Sequence, residues 1–208
     1  SGITARVRGL QSHENKVDSV SQGDRAAVNL QGVEKNDIDR GSQLATPGYF
    51  QSVVQIGVQL KLLHSASKPI VQNQRIRIHL GTQEAMARIS IIGKKTLEPG
   101  GEGPALIRLE SPMVAARKDK FIVRSFSPVL TIGGGEILEI NIKGKWKTVK
   151  DTLQTLYDRP ESEQLLQLVQ QEATNPMTPK QLQVRLGISE KHIQQWVSSE
   201  EKLFWLSH

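Results

Sequence analysis

Arg75, Arg77 and His79 alternate with Ile76, Ile78 and Leu80. On a β-strand this period of two sends the three basic side chains to one face and the three apolar ones to the other. Cations in such a row suit the phosphates of a nucleic acid or an acidic partner, but a solvated barrel face produces the same pattern. Arg88, Lys94, Lys95, Arg117, Lys118, Lys120 and Arg124 enlarge the basic set, and on these residues alone both readings stand.

Other chemistries find little support. Gly93-Lys94-Lys95-Thr96 has the ending of a phosphate-binding loop, yet the position five before Gly93 is Arg88 where that loop needs a glycine, and the stretch reads as a hairpin tip. Thr131-Ile132-Gly133-Gly134-Gly135-Glu136 is rich in glycine but leads into the strand-like Ile137-Leu138-Glu139-Ile140. It has no helix N-terminus to hold an anion, and the run reads as a barrel corner or bulge. His13, His64, His79, His192 and His208 show no metal-ligand spacing. No Ser, His and Asp set can be grouped, and Ser127 precedes Pro128 in a loop-like stretch. The absence of cysteine removes thiolate metal sites and thiol nucleophiles and fits a reducing compartment, with the cytoplasm expected.

The basic residues need elements to carry them, and the charge is unevenly placed. Residues 1–152 hold 22 Lys+Arg against 14 Asp+Glu, a net of +8, whereas residues 153–208 hold 5 against 7, a net of −2. A length of 208 residues suggests several domains, and no apolar run approaches the length of a membrane span. Ser1 in place of Met, with no signal-peptide layout after it, leads us to expect a fragment of a longer chain.

From Arg6 to Leu44 short strands alternate with turns at Gly23-Asp24 and Asp39-Arg40-Gly41-Ser42, and Ala26 to Leu30 reads as a buried strand. A unit this small is expected to be the C-terminal part of a β-barrel, residues 1–48. Residues 49–142 show period-two alternation in Val53 to Leu63, Arg75 to Leu80, Glu84 to Ile92, Pro104 to Glu110, Lys120 to Phe126 and Glu136 to Ile142. A second antiparallel barrel is expected there. Residues 143–152 read as a basic linker. From residue 153 to 208 the period becomes helical: Leu165, Leu166, Leu168 and Val169 form one stripe, Thr178 and Ser189 suit helix caps, Gly187 suits a stop, and Lys202 to Leu206 resembles a strand. Helix, helix-turn-helix and strand make a winged-helix order. Its second helix, Glu190 to Val197, contains one Lys, one Glu and no Arg, so packing or spacing competes with nucleic-acid binding as its role. The fold class expected is mainly β, with two antiparallel β-barrels, the first truncated, followed by a small α/β winged-helix domain.

Gly23-Asp24-Arg25-Ala26-Ala27-Val28-Asn29-Leu30-Gln31-Gly32-Val33, then Asp37 to Gly41 and Leu44 to Gly48, resemble the end of the second domain of translation elongation factors. More narrowly, Arg6 to His13, Arg75 to Thr82 and Phe121 to Gly135 resemble the selenocysteine-specific elongation factors of the SelB type. The resemblance covers nearly the whole chain.

It implies parts of the second and third β-barrel domains and the first winged helix of a factor that delivers selenocysteyl-tRNA to the ribosome at recoded UGA codons. GTP and Mg would belong to a GTPase domain upstream, so no cofactor and no catalysis are expected in this fragment. The mRNA hairpin would be held only by further winged helices beyond it, and no membrane is involved. Arg25 matches an arginine of the pocket for the anionic selenol, a role that suits a permanent cation, although a structural turn contact is the alternative. Arg75, Arg77, His79 and Arg124 match the region that contacts the tRNA body. Gln31 departs from the Arg found there in general elongation factors. The rival expectations are a fragment of a general translational GTPase, or a non-enzymatic β-barrel scaffold that binds protein through its helix-turn-helix.

Overall fold

The computed structural model describes residues 2–50, 52–140, 142–171 and 177–199. The chain divides into two compact units at Pro47/Gly48.

In the first unit β1 (Arg6–Ser12), β2 (Asn15–Val17) and β3 (Ala26–Gln31) form an antiparallel sheet in the order β2-β1-β3. The β1–β2 hairpin turns on His13 and Glu14, both at positive φ (50° and 66°), as the right-handed twist of two strands joined by a two-residue loop demands. The Asn15 side-chain amide donates to the His13 carbonyl across this turn at 3.1 Å. A short 3₁₀ helix, Lys35–Asp37, follows β3. Ala26 to Leu30 is not the fully buried strand expected, because it alternates half-buried and exposed residues. The sheet is open among the described residues, so its strands have one side to bury and one in water.

The second unit begins with β4 (Ser52–Leu62), β5 (Ile70–Val71), β6 (Gln74–Leu80), β7 (Gln83–Ile91), β8 (Thr96–Leu97), β9 (Glu102–Val114), β10 (Lys120–Ser125) and β11 (Thr131–Glu139). Six of these close an antiparallel barrel in the order β10-β11-β4-β9-β7-β6, while β5 and β8 make a small separate ribbon. The alternation seen in the sequence is the cause. Ile56, Val58, Leu60, Leu62, Ile76, Ile78, Ala87, Ile89, Ile107, Phe121, Val123 and Ile137 all point into one core. Each large aliphatic side chain there stabilises the fold by about 1.5–3 kcal/mol through burial.

The triple glycine lies inside β11, not at a corner. A Cβ on Gly133 would press on the Lys61 carbonyl oxygen, and one on Gly135 would overlap that of Gln59. The strand therefore approaches β4 more closely than any side chain permits. Register shifts do occur nearby, between Val123 and Arg124 and between Ile137 and Glu139.

The expected linker 143–152 is mostly helix. Val149, Leu153 and Leu156 recur at helical spacing and drive α1 (Trp146–Asp158), which begins within that segment. α2 (Glu161–Gln171), α3 (Pro179–Leu186) and α4 (Glu190–Ser199) follow. Thr178 and Gln181 make the capping box at α3, Gly187 closes it in the left-handed conformation (φ 66°), and the Ser189 hydroxyl accepts from the His192 amide at the start of α4. The expected strand Lys202 to Leu206 lies outside the described residues.

The helices do not form a separate body. Ile92, Leu106, Leu138 and Ile142 share a second core with Val149, Leu153, Leu156, Leu165, Leu168, Leu182, Leu186 and Ile193. α1 lies so close to β4 that a Cβ on Gly57 would overlap Leu153. Arg117, 4% exposed, ties the halves: its guanidinium donates to the Leu138 carbonyl (3.2 Å), the Leu186 carbonyl (3.0 Å) and the Gln164 side chain (2.5 Å). Beside it, buried Arg185 pairs with buried Glu139. No helix among the described residues is long and apolar enough to cross a membrane.

Candidate nucleic-acid interface

β6 puts Ile76, Ile78 and Leu80 inside the barrel and Arg75, Arg77 and His79 on its outer wall. β10 lies alongside in a register that sets Arg124 directly opposite Arg77, and Ile122 opposite His79. On the other side β7 sets Arg88 opposite Arg75 and Glu84 opposite His79. Sheet pairing thus gathers four arginines and a histidine that are up to 49 positions apart in sequence (Arg75 to Arg124). Like charges set directly opposite repel, so such a wall needs compensation.

Two carboxylates supply part of it. Arg75 makes a two-pronged pair with Glu110, at 2.8 and 2.5 Å, and Arg77 Nη1 lies 2.5 Å from Glu84 Oε1. His79 Nε2 is 3.7 Å from the other oxygen of Glu84. The hydrogen bond from Arg77 holds the Glu84 carboxyl below the ordinary range, opposed by burial and aided by the charges of His79, Arg77 and Arg124. Glu110 is held low in the same way by Arg75. Four arginines face two carboxylates, so the wall stays positive.

An aromatic ring completes the surface. The Arg75 guanidinium carbon lies 4.8 Å from the centroid of Phe126, and that of Arg77 lies 5.9 Å from it. Phe126 is 45% exposed, large for an apolar ring, and presents a flat surface among cations. Among the described residues Arg124 hydrogen-bonds only the Val129 carbonyl, at 3.4 Å. The Nε atoms of Arg77 and Arg124 and Nε2 of His79 are shielded from solvent and have no hydrogen-bond partner among the described residues. A positive wall with an exposed ring is suited to phosphates and bases.

Arg25 stands in the other unit. It follows the Ser21–Asp24 turn, in which the Ser21 amide donates to Asp24 Oδ2 at 2.7 Å, and directly precedes β3. Its carbonyl accepts from the Ser12 hydroxyl at 3.1 Å, while its exposed guanidinium engages no partner among the described residues.

Three of the basic residues singled out in the sequence have other work. Arg117 is the buried tie already described, Lys118 pairs with Glu161, and Lys120 pairs with Glu136. Neither Glu84, Glu110 nor the ring of Phe126 was assigned a role from sequence. The partnership of Arg75 with Glu110 depends on register across three strands, which no local spacing reveals. No group of three His, Cys, Asp or Glu able to hold a metal occurs among the described residues.

Residues 57–143 match the family model described as selenocysteine-specific elongation factor, β-barrel domain. A curated relative, the selenocysteine-specific elongation factor of Desulfomicrobium baculatum, is 31% identical over 193 residues, covering 92% of this chain and 30% of the relative. The chain therefore spans about a third of the length of the curated relative it matches.

Proposed function

The barrel, and with it the chain, belongs to the selenocysteine-specific elongation factors, and from that premise we propose that these residues are the part of such a factor that holds selenocysteyl-tRNA for delivery to the ribosome. The observation that carries the reading is the outer wall of β6 and β10, where Arg77 and Arg124 stand directly opposite each other beside His79 and Phe126. A duplex stem offers phosphates at regular spacing, and a row of arginines on a rigid barrel meets them without ordering a loop. Arg25 is proposed for the aminoacyl pocket, where its unengaged guanidinium would face the selenolate.

GTP and Mg chemistry would be supplied by a part of the factor outside these residues, and this chain would contribute binding only, in the cytoplasm. α1 to α4 would be the winged-helix domain, acting as a spacer. The mRNA hairpin would be met elsewhere in the factor.

The test uses the full-length factor carrying this sequence, with selenocysteyl-tRNA and seryl-tRNA compared in filter binding. Arg77→Ala with Arg124→Ala is expected to weaken both tRNAs alike and to lower the salt dependence by roughly two phosphate contacts. Arg25→Ala is expected to remove the preference for the selenocysteyl group and leave contacts to the tRNA body. Equal affinity of the unaltered factor for the two tRNAs would sink the selenocysteine assignment. Loss of folding in Arg25→Ala would return that residue to a structural role.

A further inference from the structure

Round the barrel from the β6 wall, the cations continue past Arg88 onto β9 and the start of α1. β7 and β9 pair so that Arg88 stands directly opposite Arg108, both exposed on the outer surface. Among the described residues Arg88 donates only to the Asn73 carbonyl, at 3.3 Å, and Arg108 to the Ser90 hydroxyl, at 3.1 Å. The Arg108 guanidinium carbon lies 5.6 Å from the ring centroid of Trp146, the first residue of α1. Trp146 is 41% exposed, and the exposed Lys145 and Lys147 flank it.

Among the described residues none of Arg88, Arg108, Lys145 and Lys147 has an ion-pair partner. The carboxylates nearby are Glu110, which is engaged by Arg75 and acts on Arg88 at a distance, and Asp151, one turn along α1 from Lys147. Four cations without an ion-pair partner among the described residues repel one another, and two hydrogen bonds to neutral oxygens and one cation–π contact are what the fold sets against that. A polyanion that also carries flat rings would relieve the repulsion and use the indole. Phosphate alone, or an acidic peptide, would leave Trp146 idle.

We propose that the wall from β7 across β9 to the start of α1 is a second RNA-binding surface, with Arg88, Arg108, Lys145 and Lys147 on the phosphodiester backbone and Trp146 stacking an unpaired base. The surface shares only Arg88 with the β6 wall and does not depend on which tRNA that wall carries.

The test titrates the 208-residue chain with an unpaired oligouridylate of about a dozen nucleotides, following tryptophan fluorescence and binding across salt concentrations. Oligouridylate is expected to quench the fluorescence, and Trp146→Ala to abolish the quenching and weaken binding by roughly tenfold. Lys145→Gln with Lys147→Gln is expected to lower the slope of log affinity against log salt by roughly 1.4, the share of two phosphates on a single strand. An unchanged slope would overturn the proposal, as would polyglutamate displacing the RNA from the unaltered chain but not from the lysine variant. Arg77→Ala with His79→Ala separates the two surfaces. If that pair abolishes oligouridylate binding while the lysine pair does not, the second surface falls and the β6 wall remains. The reverse result upholds it whatever becomes of the tRNA assignment.

Discussion

The guanidinium of Arg117, at the turn before β10, donates at 3.0 Å to the carbonyl oxygen of Leu186, the last residue of α3 and 69 positions further along the chain. Burial works against the charge of Arg117, and the fields of Glu161, Glu139 and Glu136 support it. Arg117→Ala leaves two buried carbonyls and a glutamine side chain without their donor, an expected loss of about 3 kcal/mol. Arg117→Lys should recover only part of it, since one ammonium lacks the planar fork that reaches three acceptors. Urea unfolding followed by tryptophan fluorescence measures both.

The neighbouring pair Glu139 and Arg185 gives a different pattern. Arg185→Leu alone removes the ion-pair partner seen for a buried carboxylate and should destabilise by about 3–5 kcal/mol. Glu139→Leu with Arg185→Leu removes both charges and should restore most of that loss. A double-mutant cycle in urea decides it: if the double variant is as unstable as the sum of the singles, the two charges are not acting as a pair.

In β11, Gly135→Ala drives a methyl group into the Gln59 carbonyl and should prevent closure of the barrel between β11 and β4. Gly103→Ala, in β9, meets nothing within 4 Å and should stay within about 1 kcal/mol of the parent. Yield of folded protein and loss of dispersed amide proton resonances distinguish the two.

Glu84 provides the pH dependence. Its carboxyl is lowered in the folded chain from the ordinary 4.5, chiefly by Arg77, so its contribution is present above that value and is lost as pH falls through the lower folded one. Glu84→Gln should therefore show a smaller fall in its urea midpoint than the parent between neutral pH and about pH 3, and the difference between the two should shrink toward the acid end. In RNA binding the same variant should gain affinity, because it removes an anion from beside Arg77 and His79.

Much of the barrel was legible in the sequence because its strands bury one face only. The run Arg75 to Leu80 alone specifies which side chains are inside. The α3 cap at Thr178 and stop at Gly187 were legible too, since capping is local chemistry. α1 was missed because its first five residues include Lys147 and Lys150, whose charge suggested a linker, and its buried stripe starts only at Val149. The site was legible in part. Arg75, Arg77, His79 and Arg124 do come together, but Glu84, Glu110 and Phe126, which set their charge and position, join them only through the pairing of β6 with its neighbours. Arg117 looked like one more surface cation because nothing local marks a residue that helices far along the chain will cover.

The contact between Leu153 and Gly57 can also be considered mechanically. Because α1 rests on β4 with no room for even a methyl group between them, the helical end and the barrel wall behave as one beam with no joint at that contact. α3 is joined to the strands at two places, directly through Arg117 and indirectly through the core that α1 shares with the barrel.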